Sequence, residues 1–213
     1  MSKECFSCVD CAVVNCNTMD SVFPEFCPTT HMDQKLFAES IEAYDDDNNK
    51  KVFIAAAEVE AEHYCMATRA EEIIYFARKI GAKRIGIATC VGLLRESGIF
   101  AKILRRSGFE VIGIGCKAGT YAKVDIGIDE KCQVTGKNMC NPIMQAKYLN
   151  SMNTDLNVVV GLCVGHDSLF YRYSDAYVTT LITKDRVTGH NPAAALYNAN
   201  SYYKKKFVNL EQE

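Results

Sequence analysis

The chain has 213 residues, and 24 Lys and Arg against 26 Asp and Glu give it a net charge of −2. This near balance argues against nucleic acid and against an anionic membrane surface as partners. No apolar stretch reaches the roughly 18 residues of a membrane span, and the first residues lack a signal-peptide core, so we expect a cytoplasmic location. Eleven cysteines in such a chain indicate metal or redox chemistry rather than a disulfide framework.

The N-terminus is a cysteine-rich segment without helical or strand periodicity, as expected for a segment that a metal orders. Cys5, Cys8 and Cys11 have the spacing C-x2-C-x2-C, which lets three thiolates surround one centre. Cys16 and Cys27 are alternatives for the fourth ligand, because Cys16 follows at a longer spacing and the proline follows Cys27 instead. The tight triplet favours a [4Fe–4S] cluster, and zinc is the alternative.

Three helices are predicted next, over residues 33–44, 50–65 and 68–81. Asp33 is suited to cap the first helix. Thr68 and Glu71 have the spacing of a capping box at the start of the third helix, and Gly81 ends it.

The remainder of the chain alternates between short apolar runs and amphipathic segments. Strands are predicted over residues 84–89, 109–115, 156–162 and 176–183, and helices over 93–108, 142–151 and 165–174. This rhythm is typical of a parallel sheet with helices on both faces. We therefore expect a three-layer α/β/α fold with a mostly parallel sheet over residues 33–213, preceded by the cysteine-rich metal-binding segment 1–32.

Cysteines follow three of the predicted strands, namely Cys90, Cys116 and Cys163. In open parallel sheets this edge binds ligands. Cys140 precedes a predicted helix start, where free N–H groups favour a thiolate. Three or four thiols meeting at one edge would suit a soft metal or an iron–sulfur cluster. The competing interpretation is that each cysteine packs as a small hydrophobic residue.

Polar side chains follow the same strands. His166 and Asp167 fall in the first turn of a predicted helix. His166 is a candidate ligand, sulfur-bonding donor or general acid, and Asp167 a candidate cofactor contact; the alternative is an ordinary helix start. Lys117 is a candidate to neutralise an anionic cluster or hold a substrate carboxylate. Arg186 is a candidate to bind a substrate anion, or it pairs with Asp185.

Six motifs carry a resemblance to a known family: SCVDCAVVNC, CKAG, CNPI-QA--LN, GLCVGHDSLF, VTTLITKDRVTGHNP and AALY. Together they resemble domain-of-unknown-function family 1847, uncharacterised metal-binding proteins of archaea and anaerobic bacteria. The resemblance implies metal binding and an anaerobic setting, and it supplies no reaction. Its motif cysteines correspond to Cys5, Cys8, Cys11, Cys16, Cys90, Cys116, Cys140 and Cys163. Cys65 and Cys132 lie outside the motifs, and we interpret them as packing residues.

These patterns leave three functions open. The first is an iron–sulfur protein, with an N-terminal electron-transfer cluster served by a redox partner protein and a second centre that binds or reduces a small molecule. The second is a zinc-ordered module for metal sensing, storage or trafficking. The third is a thiol redox protein that uses Cys116 and Cys163 without a metal at the sheet edge. No nucleotide-binding or hydrolase signature appears, so the sequence does not establish an enzyme.

Overall fold

The computed structural model describes residues 7–208, so Cys5 lies outside the described residues. The chain divides into two compact units, the first ending at Ile54 and the second beginning at Ala55. The helices of the described residues are α1 Asn15–Thr18, α2 Gln34–Glu42, α3 Asp47–His63, α4 Arg69–Lys79, α5 Leu94–Arg106, α6 Pro142–Ser151, α7 His166–Tyr173, α8 Pro192–Tyr197 and α9 Lys204–Val208.

The first unit contains the cysteine-rich segment and α2. Two 3-10 turns, Cys8–Asp10 and Pro28–His31, flank the four-residue α1. Asp33 caps α2 as predicted, because its carboxylate accepts the backbone N–H groups of Lys35 at 2.8 Å and Leu36 at 3.3 Å. These contacts satisfy two of the N–H groups that a helix start leaves unpaired.

A four-stranded sheet forms the centre of the second unit. Its strands are β1 Arg84–Thr89, β2 Glu110–Gly115, β3 Leu156–Val160 and β4 Tyr177–Ile182, arranged in the order β2-β1-β3-β4. All three pairings are parallel, which confirms the predicted fold class. β3 ends two residues earlier than predicted: Gly161 still donates its N–H to the Ile182 carbonyl at 2.7 Å, and its φ of 64° turns the chain away after this bond.

Helices cover both faces of the sheet. Ile85, Ile87 and Val158 face one layer together with residues of α4 and α5. Ala88 and Val159 face the other layer, with α6 and α7. Because successive side chains of a strand point to opposite faces, the central strands β1 and β3 are buried on both sides. The loops at the ends of β1 and β3 are therefore the accessible parts of these two strands.

Both cysteines that we interpreted as packing residues are exposed, so that interpretation is wrong. Helix α3 ends at His63, two residues before the predicted end. Cys65 lies in the following turn with a left-handed φ of 56°, which takes its side chain out of the helix pattern. Cys132 lies in an exposed 3-10 segment, Glu130–Thr135.

In the described part of the chain, no helix has the length and apolar character that crossing a bilayer requires.

Candidate functional site

The parallel ladder continues one residue beyond β1 and β2, and this extension carries two of the predicted site cysteines. The N–H of Cys90 donates to the carbonyl of Val160 at 3.0 Å. The N–H of Cys116 donates to the carbonyl of Thr89 at 2.8 Å. Since neighbouring parallel strands run about 4.8 Å apart, these bonds hold the two thiols side by side at the carboxyl edge.

A long loop returns Cys140 to the same edge. The N–H of Asn141 donates to the carbonyl of Cys116 at 2.7 Å, which closes the excursion between β2 and α6. Inside the loop, the buried Lys123 donates to the carbonyl of Cys132 at 2.6 Å and to the Thr135 hydroxyl at 2.9 Å. Hydrogen bonds therefore close this loop at its base and fix its centre, and the loop leads the chain to Cys140.

Three thiols, those of Cys90, Cys116 and Cys140, form a row at this edge in which each affects the ionisation of the next. The directions of their pKa shifts correspond to Cys90 acting as a donor toward Cys116, and Cys116 toward Cys140. The donated bond and burial raise the pKa of Cys90 to about 12, and the bond to Cys140 raises the pKa of Cys116. The bond received from Cys116, helped by the charge of Lys117, lowers the pKa of Cys140 to about 7. Cys140 is thus the first member of the row to ionise.

Cys163 lies beside this row, within electrostatic range of Cys140, and contacts a cation. The guanidinium of Arg186 donates from Nη2 to the Cys163 sulfur at 3.1 Å. That Cys90, Cys116 and Cys163 reach one centre stays a prediction, and Cys140 joins them at this edge. We refer to Cys90, Cys116, Cys140 and Cys163 together as the edge thiols.

The sequence did not indicate Gln145, a residue of α6 whose side chain links the ends of β1 and β2. Its side chain is almost fully buried, and Nε2 donates to the carbonyls of Thr89 at 3.1 Å and Ile114 at 2.8 Å. Its Oε1 is buried and has no hydrogen-bond partner among residues 7–208. The only signal for it was its place in the CNPI-QA--LN motif, five residues after Cys140.

The candidate polar residues differ in whether they act on the edge thiols. Lys117 donates to the carbonyl of Asn138, and its charge acts on Cys140. The backbone N–H of His166 donates to the carbonyl of Cys163, and the His166 ring has no hydrogen bond to an edge thiol within residues 7–208. Asp167 accepts the N–H of Ser168 at 2.8 Å. The contacts of His166 and Asp167 are those of a helix start.

A separate group of cysteines lies in the first unit. Cys8, Cys11, Cys16 and Cys27 all line one small cavity of about 80 Å³. Cys27 is buried, and a hydrogen bond from the Thr29 hydroxyl, together with the N–H groups of Thr29 and Thr30, lowers its pKa. Both alternatives for the fourth ligand, Cys16 and Cys27, therefore face the same space.

The turn that leads into α1, the helix that carries Cys16, is held in an uncommon conformation. Val14, between Cys11 and Cys16, has a left-handed φ of 52°, a conformation that β-branched residues rarely adopt. Asn15 is buried, and its side chain accepts the N–H of Ser21 at 2.8 Å. Strain of this kind persists where the surroundings determine the backbone, and it occurs often near functional sites.

The donor chemistry of both groups fits a soft metal, because four described cysteine sulfurs are available in each. Between residues 7 and 208, however, no three His, Cys, Asp or Glu side chains are gathered at the spacing of a metal site. Thiol side chains in either group would have to rotate to bind one centre together.

Comparison with known proteins places the chain in a family. Residues 27–181 match the family model described as "Protein of unknown function (DUF1847)". The chain belongs to this family. It is also 47% identical over 169 residues to the uncharacterised protein MJ0455 of Methanocaldococcus jannaschii, an alignment that covers 79% of this chain and 86% of the relative. The DUF1847 match contains all four edge thiols and Cys27, and it leaves Cys8, Cys11 and Cys16 outside.

Proposed function

We propose that this DUF1847 protein is a cysteine-ligated metal protein with two centres, and that both are iron–sulfur clusters. The N-terminal centre would transfer electrons to or from a redox partner protein, and the edge centre would bind or reduce a small molecule. The observation that supports the proposal most is the placement of four cysteines at the carboxyl edge of the sheet, where backbone hydrogen bonds align Cys90 with Cys116 and return the chain at Cys140. Such an edge is where open parallel sheets bind their ligands.

The residues that would hold each centre follow from their positions. At the edge these are Cys90, Cys116, Cys140 and Cys163, and at the N-terminus they are Cys5, Cys8 and Cys11 with Cys16 or Cys27 as the fourth ligand. A bound iron–sulfur cluster supplies one-electron redox chemistry, with a potential that hydrogen bonds to the sulfurs adjust. The protein contributes such bonds from Val91 N–H to Cys116 at 3.5 Å and from Gly92 N–H to Cys90 at 3.4 Å.

Purification without oxygen, followed by iron, sulfide and zinc analysis, tests the proposal. We expect stoichiometric iron and sulfide with the broad visible absorption of an iron–sulfur protein. Cys8→Ser and Cys90→Ser should each remove one centre, because each replaces a thiolate of a different group. Cys65→Ser is the matched control, since Cys65 is exposed and lies outside both groups. Colourless protein with bound zinc would favour a metal-sensing or trafficking module, and protein without metal would contradict both.

A further inference from the structure

Cations flank the edge thiols on both sides. The sheet order β2-β1-β3-β4 places Cys116, Cys90 and Cys163 after three adjacent strands, and Lys184 and Arg186 follow the fourth strand. Lys117 follows β2 at the opposite side. Positive charge therefore stands at both ends of the edge that carries the thiols.

Arg186 is held beside the thiols without an acidic partner among the described residues. Its neighbour Asp185 does not pair with it, because that carboxylate accepts the N–H groups of Val187 at 2.8 Å and Thr188 at 3.0 Å. The turn is closed by His190, whose Nδ1 accepts the N–H of Asp185 at 3.1 Å. The exposed guanidinium uses one N–H on Cys163, and the remaining donors of its fork are available for a ligand.

Lys184 is a second uncompensated cation. It is half-buried, and it makes no hydrogen bond or ion pair with any residue in the described range 7–208. Its Cε passes 3.4 Å from the position that a Cβ on Gly161 would occupy, so the side chain lies over the end of β3. Its positive charge lies within electrostatic range of the Cys90 thiol. The ammonium of Lys184 has no acidic partner among residues 7–208, so its charge is available to a ligand at this edge.

The backbone directs this segment toward the edge. Val159 pairs with Thr180, but Val160 pairs with Ile182, so Leu181 is an extra residue in β4. Bulges of this kind bend a strand and redirect the residues that follow, and they occur often next to active sites. The bulge immediately precedes the segment that carries both cations.

We propose that the carboxyl edge of the sheet binds a small anion beside the edge thiols. The anion is an oxyanion or a carboxylate, and Arg186 and Lys184 hold it. The planar fork of arginine matches two oxygens of such a group, and the lysine ammonium adds a point charge. This inference rests on the proposed function, since it names the chemical class of the small molecule that the edge centre takes. The competing role for both cations is to balance the charge of thiolates alone.

Isothermal titration calorimetry on the reduced full-length protein tests this, with inorganic phosphate and acetate as probes. We expect saturable binding of at least one probe, and the preferred probe distinguishes an oxyanion site from a carboxylate site. Arg186→Gln and Lys184→Gln should each weaken that binding about tenfold, the effect of one charge-assisted hydrogen bond. Arg172→Gln is the matched control, because Arg172 is an exposed arginine on α7 that should leave binding unchanged.

Metal analysis of the same preparations separates this inference from the proposed function. Binding that depends on Arg186 and Lys184 would support the anion site even in protein that contains no metal after anaerobic purification, and the missing metal itself would contradict the edge metal centre. Metal-loaded protein that binds neither probe saturably would overturn the anion site and leave the metal proposal intact. Equal losses in Arg172→Gln and Arg186→Gln would also overturn it, since they would indicate a general charge effect.

Discussion

Replacing Cys116 by alanine should shift the ionisation of its neighbour Cys140. The hydrogen bond from the Cys116 thiol is the largest cause that lowers the pKa of Cys140 to about 7. Without that donor, the pKa of Cys140 should return toward the ordinary thiol value of about 8.5. The thiolate fraction at neutral pH would then fall from about one half to a few per cent, roughly fifteenfold.

The alkylation rate at one pH is a poor measure of this change. A thiolate of higher pKa is also more nucleophilic, with a Brønsted coefficient of about 0.4–0.5, so a shift of about 1.5 units raises its intrinsic reactivity roughly fivefold. The net rate at neutral pH should therefore fall only about threefold. The midpoint of the rate against pH carries the full shift, and it is the better quantity to measure.

The assay is iodoacetamide alkylation of reduced, metal-free protein, with Cys140 followed by peptide mass spectrometry across the pH range. Cys116→Ala should move the midpoint upward by about 1.5 units, and Cys116→Ser should move it less because a hydroxyl still donates. Cys65→Ala is the control, since Cys65 lies in an exposed turn outside the row. An unchanged midpoint in Cys116→Ala would refute the hydrogen-bonded row.

Two further predictions concern stability. Gly161→Ala should cost about 2–5 kcal/mol in urea unfolding, because a Cβ would lie 2.1 Å from Leu93 Cδ1 and the backbone φ is 64°. Gly119→Ala has a similar backbone penalty but no atom within 4 Å, so an equal cost in both variants would contradict the steric argument. Thr68→Ala should cost about 1 kcal/mol at neutral pH, because the Glu71 carboxylate accepts the Thr68 N–H and hydroxyl. Those bonds lower the pKa of Glu71, so their contribution is present above its unfolded pKa and is lost as pH falls through the folded pKa. Thermal unfolding should therefore show the Thr68→Ala difference shrinking in acid, and a difference independent of pH would count against the pairing.

Local patterns predicted the scaffold well. The bounds of β1 and α6 agree with the prediction to the residue, because an apolar run ends at a polar turn in one case and proline opens the helix in the other. The capping pair of Thr68 and Glu71 was also predicted from spacing alone and is present. Each of these features depends on contacts within one helical turn or one strand.

The arrangement of the thiols depends on contacts that are distant in sequence. Cys140 joins Cys116 because Asn141 bonds to the carbonyl of Cys116, a closure that no periodicity reveals. Gln145 contacts carbonyls 56 and 31 residues away, and a single glutamine in a helix carries no signal of that. The sequence could therefore predict which cysteines follow the strands at the edge, but not which of their thiols affect one another's ionisation.

Relatives that differ in the residues after the fourth strand can separate the two edge proposals. The matched range 27–181 includes the edge thiols and Gln145, whereas Lys184 and Arg186 follow it. A metal centre built from those thiols is consequently a property to seek in other DUF1847 proteins. The anion site needs Lys184 and Arg186, which follow the matched range and lie in the VTTLITKDRVTGHNP motif. A relative with the four thiols but no cation after its fourth strand should hold the metal and fail to bind phosphate or acetate. Tight anion binding by such a relative would show that Arg186 and Lys184 serve the thiolates instead.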